Sequence, residues 1–259
     1  MGSESTTRTA PRSGGTGTGP AGGKTGQRLS GLAVALGLVL FLGGFAWAAV
    51  VYRPYTVPTS SMTPTIGMGD RVLAQRVDGA EVRRGDVVVF RDTSWVQNAP
   101  VVKRVVAVGG DTVACCRQGK LTVNGKEIDE PYLKGGPAEV RNFPTVKVPP
   151  GRLFLLGDER QGSLDSSAHL ADAAQGTVSR SDVSARVDAV VWPAKGMLER
   201  PTGFRALGAL SEPGPLRTVV LMIVAGAVLV LAGGAYGPIA KRLGASSRAR
   251  GRTEPVRAR

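Results

Sequence analysis

The chain has 259 residues, a net charge of +13 and a pI near 10.5. Two cysteines and one histidine are too few ligands for a zinc site at any recognised spacing, so no metal and no cofactor is expected. Nor does the charge call for nucleic acid. Much of it lies in the tails: Arg8, Arg12, Lys24 and Arg28 against Glu4, and Lys241, Arg242, Arg248, Arg250, Arg252, Arg257 and Arg259 against Glu254, a distribution that membrane topology explains better than a DNA-binding face.

Residues 1–28 are rich in Gly, Ser, Thr and Pro and cannot build a core, which predicts a disordered tail. Leu29 to Val51 is apolar and uncharged, long enough for the ~20 helical residues that cross a bilayer core. A cleavable leader is the rival reading, since Ala46-Trp47-Ala48 resembles a small-x-small cleavage site. The run exceeds the ~7–15 apolar residues of such a leader, which favours a retained transmembrane helix over 29–51.

Residues 52–217 read as one β domain. Strands are expected over 71–77, 86–90, 101–108, 152–156 and 183–192, with a hairpin over 120–128 turning at Asn124-Gly125. Many short strands with Gly and Pro punctuation predict an antiparallel, barrel-like architecture. Cys115 and Cys116 are adjacent and are expected to be unpaired, partly buried thiols. A second apolar run, Val219 to Ala240, is followed at once by Lys241-Arg242. It predicts a second transmembrane helix over 218–240 and a basic tail over 241–259. Two spans put both tails in the cytoplasm and the β domain outside.

The domain opens on Val57-Pro58-Thr59-Ser60-Ser61-Met62-Thr63-Pro64-Thr65-Ile66. Two prolines restrict the backbone around Ser61, although such clusters are commonly plain turns. A histidine-activated serine would need His169, the sole histidine, which lies in a polar loop. Serine can instead be activated by a lysine whose burial disfavours the ammonium. Lys103, between valines in Val101-Val102-Lys103-Arg104-Val105-Val106, is such a candidate. Its other reading is an outward-facing strand residue.

These segments resemble the blocks of bacterial type I signal peptidases, the membrane-bound Ser/Lys proteases of protein secretion. Pro58-Thr59-Ser60-Ser61-Met62-Thr63-Pro64-Thr65 is similar to the nucleophile motif. Gly69-Asp70-Arg71-Val72-Leu73, Arg84 to Phe90, Val102 to Asp111, and Gly157 to Ser166 follow in the family's order. The second span and basic tail resemble an actinobacterial version. The resemblance implies Ser61 as nucleophile and Lys103 as general base. It implies that Ser163 holds the lysine amine, that Thr59 and the Ser61 N–H form the oxyanion hole, that Asp158 pairs with Arg104, and that Asp165 supports the same region. Where the family has an arginine after Asp-Ser, this chain has Ser167, so a partner for Asp165 is either absent or supplied by another residue such as Arg160.

The resemblance also implies the substrate: signal peptides of exported preproteins, bound as a strand beside Arg53 to Val57 and near Asn98 to Val102, Val101 included. Val57, Met62, Ile66 and Val102 would line a shallow pocket for a small residue, and Tyr55 the pocket two residues earlier, giving Ala-x-Ala specificity. The implied setting is the cytoplasmic membrane, near the secretion translocon, with the lipid bilayer as partner and no nucleic acid. Two other readings stay open: a non-enzymatic membrane protein that binds exported chains, and a Ser/Lys peptidase dedicated to one secreted component.

Overall fold

The computed structural model describes residues 22–96, 99–133 and 141–250. The chain divides into two compact units, residues 44–220 and the segments before and after them. Two long helices, α1 (Gly22–Val51) and α2 (Leu216–Arg250), dominate the second of these. Within them Gly26–Val51 and Leu216–Tyr236, with mean hydropathy 2.4 and 2.5, are long and apolar enough to cross a membrane. Leu29, Leu32, Leu36, Val39, Leu221 and Leu231 are exposed. A core helix would bury these side chains, whereas a spanning helix gives them to lipid. The helices approach closely at glycines: a Cβ on Gly37 would lie 2.8 Å from the Gly226 carbonyl oxygen. Ser30 Oγ donates to the Gly233 carbonyl across the same contact, at 2.8 Å. Helix α1 starts at Gly22 rather than Leu29, and α2 runs on to Arg250. The remaining expected tail residues, 1–21 and 251–259, lie outside the described residues.

Among the described residues the 44–220 unit has twelve strands: β1 (Tyr52–Thr56), β2 (Arg71–Gln75), β3 (Val87–Phe90), β4 (Val101–Val108), β5 (Thr112–Arg117), β6 (Lys120–Val123), β7 (Lys126–Glu127), β8 (Phe143–Lys147), β9 (Arg152–Leu156), β10 (Val178–Ser179), β11 (Val183–Trp192) and β12 (Gly196–Met197). An eight-stranded sheet runs β1-β2-β11-β3-β4-β9-β10, with β12 on β11, and a four-stranded sheet runs β7-β6-β5-β8. The pairings are antiparallel, β1 with β2 and β3 with β4 among them, so the unit is mainly β, as expected.

Side-chain alternation along β3 shows how the large sheet is covered. Val87 and Val89 enter one core cluster with Val57, Met62, Ile66, Val72, Val102 and Val187. Val88 and Phe90 enter another with Val105, Leu153 and Leu155. Both faces are buried, which is why this strand reads as an unbroken apolar run.

The strands at 101–108, 152–156 and 183–192 fall where expected, and the 120–128 hairpin turns at Asn124 and Gly125, with φ of 53° and 75°. Strands β1 and β8 were not foreseen. Each contains a proline, Pro54 and Pro144, and each is an edge strand, the place a sheet tolerates a residue without an N–H. The cysteine expectation is overturned: Cys115 and Cys116 are joined by a disulfide. The expectation rested on the rarity of bridges between adjacent cysteines; here the Cys115–Cys116 peptide bond is cis and the two Cα atoms are 3.0 Å apart.

Candidate active site

The Ser61 loop is fixed by its own backbone. Val57 N–H donates to the Asp70 carbonyl at 2.9 Å and Gly69 N–H returns to the Val57 carbonyl at 2.8 Å. Within it, Thr63 N–H donates to the Ser60 carbonyl and Ile66 N–H to the Met62 carbonyl, each at 2.9 Å. Met62 and Ile66 are fully buried and anchor the turn in the core. Gly69, at φ 85°, takes the left-handed conformation that lets the chain double back. Ser61 is thereby held half-buried at the surface, and its carbonyl accepts from Glu159 N–H at 3.1 Å.

Strand β4 brings Lys103 to this serine. Lys103 is 3 % exposed, which rules out the outward-facing reading, and its Nζ lies 2.6 Å from Ser61 Oγ. Burial pulls the lysine down to a pKa of about 8, with Asp165 and then Asp158 opposing the shift. The Thr59 hydroxyl is exposed and 3.2 Å from Ser61 Oγ.

Arg104, next on the strand, makes a two-pronged contact with Asp158, Nε to Oδ1 at 2.8 Å and Nη2 to Oδ2 at 2.6 Å. Both side chains are almost wholly buried. The Thr65 hydroxyl adds a bond to Asp158 Oδ2 at 2.5 Å, which ties the Ser61 loop to β4. Asp165 is buried and accepts from Gly157 N–H at 2.9 Å, Ser167 N–H at 3.0 Å and the Ser167 hydroxyl at 2.7 Å. Among the described residues no arginine pairs with it. Arg160 turns instead to Glu130, at 2.6 Å. Ser167 does by hydrogen bonding what an arginine would do by charge, so the alternative of Arg160 as partner is corrected.

Ser163 departs from expectation too. It is buried, but its Oγ has no hydrogen-bond partner, so the bond to the lysine amine is not made here. It packs against Gly157, where an added Cβ would lie 2.5 Å from the Ser61 carbonyl oxygen and also strike Ser163. Only glycine fits between them. Val57, Met62, Ile66 and Val102 form one cluster with Tyr55 at its margin. Val101 does not join them; it packs against the opposite cluster, with Phe90 and Val105, because adjacent strand residues face opposite sides. His169 stacks on Trp95 with centroids 4.5 Å apart and places Nδ1 2.7 Å from Asp172 Oδ2, contacts that do not include Ser61 or Lys103. Asn98, named with the substrate segment, lies outside the described residues.

Two half-buried polar residues were missed by sequence reasoning, Glu130 and Tyr132. Their signal is a carboxylate and a phenol around Pro131, in a stretch bounded by Ile128 and Leu133.

Residues 29–192, more than half of the chain, match the family described as signal peptidase, peptidase S26. A signal peptidase I of Mycobacterium tuberculosis is 34% identical over 224 residues, covering 67% of this chain and 75% of that protein. A signal peptidase I of Bacillus licheniformis is 36% identical over 128 residues, covering 46% of this chain and 67% of its own. A crystal structure of a signal peptidase I from Enterococcus faecalis V583 aligns at 25% identity and a TM-score of 0.32, over 45% of this chain and 96% of that one. With residues 29–192 matching the family model and two helices long and apolar enough to cross a membrane, this chain belongs to the signal peptidase family, peptidase S26.

Proposed function

We propose that the chain is a serine endopeptidase that removes N-terminal signal peptides from exported preproteins, with Ser61 as nucleophile and Lys103 as general base. The observation that supports it most is the 2.6 Å contact between Ser61 and a lysine that is 3 % exposed. With the amine neutral, the Ser61 hydroxyl donates to the Nζ lone pair. As Oγ attacks the scissile carbonyl, Nζ takes the proton, and the resulting ammonium passes it to the leaving amine. The acyl-enzyme is then hydrolysed by a water that gives its proton to the same amine. The Ser61 N–H and the Thr59 hydroxyl serve as donors to the oxyanion. Arg104, Asp158 and Asp165 set the position and charge environment of the base.

The substrate docks as an added strand. Strand β1 is the free edge of the large sheet, and β9 pairs β4 only from Arg104 onward, leaving the Val101–Lys103 stretch without a partner on that side among the described residues. Of Val57, Met62, Ile66 and Val102 the most accessible is Val102, at 8 % exposed, with Met62 and Ile66 at 0 % behind it, so only a small side chain would seat there. This favours Ala-x-Ala sites, with Tyr55 beside the earlier position. The basic residues outside both apolar runs favour cytoplasmic termini and an extracytoplasmic β domain in the plasma membrane, near the translocon that delivers preproteins.

Detergent-purified protein should cleave a model preprotein at its small-x-small site, and Ser61→Ala should not. Cleavage by the Ser61 variant, or none by the wild type, would refute the assignment. In intact cells, external protease should reach the β domain and spare tags on both termini. Loss of a C-terminal tag would overturn the orientation of α2.

A further inference from the structure

Behind Ser61 and Lys103, two lines of contact run into the domain and meet at Glu130. The first starts at the nucleophile loop. Thr65 Oγ1 donates to Asp158, Asp158 holds Arg104 by two bonds, the Arg104 guanidinium lies 4.0 Å over the Tyr132 ring, and the Tyr132 hydroxyl donates to Glu130 Oε1. The second starts at the Ser61 carbonyl. It accepts from Glu159 N–H and abuts Gly157, the Gly157 carbonyl accepts from Arg160 Nε at 2.9 Å, and Arg160 reaches both carboxylate oxygens of Glu130, at 2.7 and 2.6 Å. Glu130 and Arg160 are 6 % and 5 % exposed at the side chain. A solvated ion pair would hold its partners loosely; buried and two-pronged, this one fixes them.

Resting on the peptidase function proposed above, we infer that Glu130 is a positioning residue of the reaction, the point where the two lines behind the Ser61 loop and the Lys103 strand meet and are braced against each other. One line reaches the residue after Lys103 and the loop after Ser61; the other reaches the Ser61 carbonyl. Neither passes through β1 or the Val101–Lys103 stretch, where the peptide docks. Glu130 also balances charge. Arg104 and Arg160 face Asp158 and Glu130, so removing the Glu130 charge leaves two guanidiniums to share one carboxylate and loosens the grip of Asp158 on Thr65. The consequence falls on the Nζ–Oγ geometry, not on substrate binding. A misplacement of about 1 Å can cost roughly 100-fold in rate.

The test is steady-state cleavage of a preprotein by the full chain in detergent, with Ser61→Ala as the blank. Glu130→Gln should lower kcat roughly 10- to 100-fold and leave KM within about two-fold. Thr65→Val acts on the same line, so Glu130→Gln combined with Thr65→Val should lose less than the product of the two single losses. An unchanged kcat, a loss carried by KM, or fully multiplicative losses would overturn the inference. If Glu130→Gln does not fold, Tyr132→Leu removes the ring beneath Arg104 while sparing the Glu130–Arg160 pair. It should lower kcat with KM held, and an unchanged kcat refutes the inference equally. Wild-type protein that does not cleave at all refutes the peptidase function itself, so the two failures are distinguishable.

Discussion

Lys103→Arg should reduce preprotein cleavage to background, a loss of roughly 10⁴-fold or more, while the protein still folds. Arginine keeps the charge and most of the apolar stem, but it does not give up its proton in a protein. A guanidinium at this position could still bond to Ser61 Oγ, which sits 2.6 Å from Nζ, yet it could not accept the hydroxyl proton. Positive charge near the serine would thus be preserved and basicity lost, which separates the two roles. Kinetics together with far-ultraviolet circular dichroism check this. Retention of a tenth of the wild-type rate by a folded variant would sink the assignment of Lys103 as base.

Asp158→Asn should strike stability as hard as the first substitution strikes rate. Asp158 is fully buried and Arg104 nearly so, so the exchange leaves a guanidinium in the interior without its counter-charge. Breaking one side of a buried ion pair typically costs about 3–5 kcal/mol. For a domain of this size each kcal/mol lowers the melting temperature by about 2–4 °C, so a fall of at least ~6 °C is expected. The Thr65 bond weakens with it, and activity of the folded fraction should drop as well. Thermal melts in detergent give the answer; a shift below ~2 °C would mean that the guanidinium finds compensation elsewhere, the Gly85 carbonyl at 2.9 Å being the nearest candidate.

The sequence shows the site more plainly than it shows what surrounds it. Ser61 and Lys103 lie 42 residues apart, and each was visible in a local pattern: a serine between prolines, and a lysine inside a valine run. Valine-rich strands, such as β4 and β11, were legible because both faces of the sheet are buried. The small sheet was harder to see. Strand β5 carries irregular register at Cys115 and Cys116, which breaks the alternation that marks a strand. The Glu130–Arg160 pairing was illegible for another reason. It reaches across 30 residues, and charged residues in a polar turn look solvated until the fold buries them. Ser163 warns in the opposite direction: a role implied by resemblance is not matched by a hydrogen bond here.

The most direct test of a lysine base is the pH dependence of kcat/KM, which reports the free enzyme. A lysine acts as a base only through its neutral fraction, which falls about tenfold for each pH unit below its pKa. Burial lowers that of Lys103 to about 8, against the opposing pull of Asp165 and Asp158. Activity should therefore rise about tenfold per pH unit on the acidic side and level off above pH ~8, well below the ~10.4 of a free lysine. His169→Ala should trace the same curve, since His169 is engaged with Trp95 and Asp172. An acidic limb near ~6.5, where an ordinary histidine titrates, that disappears in His169→Ala would contradict the lysine mechanism; a limb near 8 that survives the substitution is the result expected of a buried Lys103 drawing the proton from Ser61.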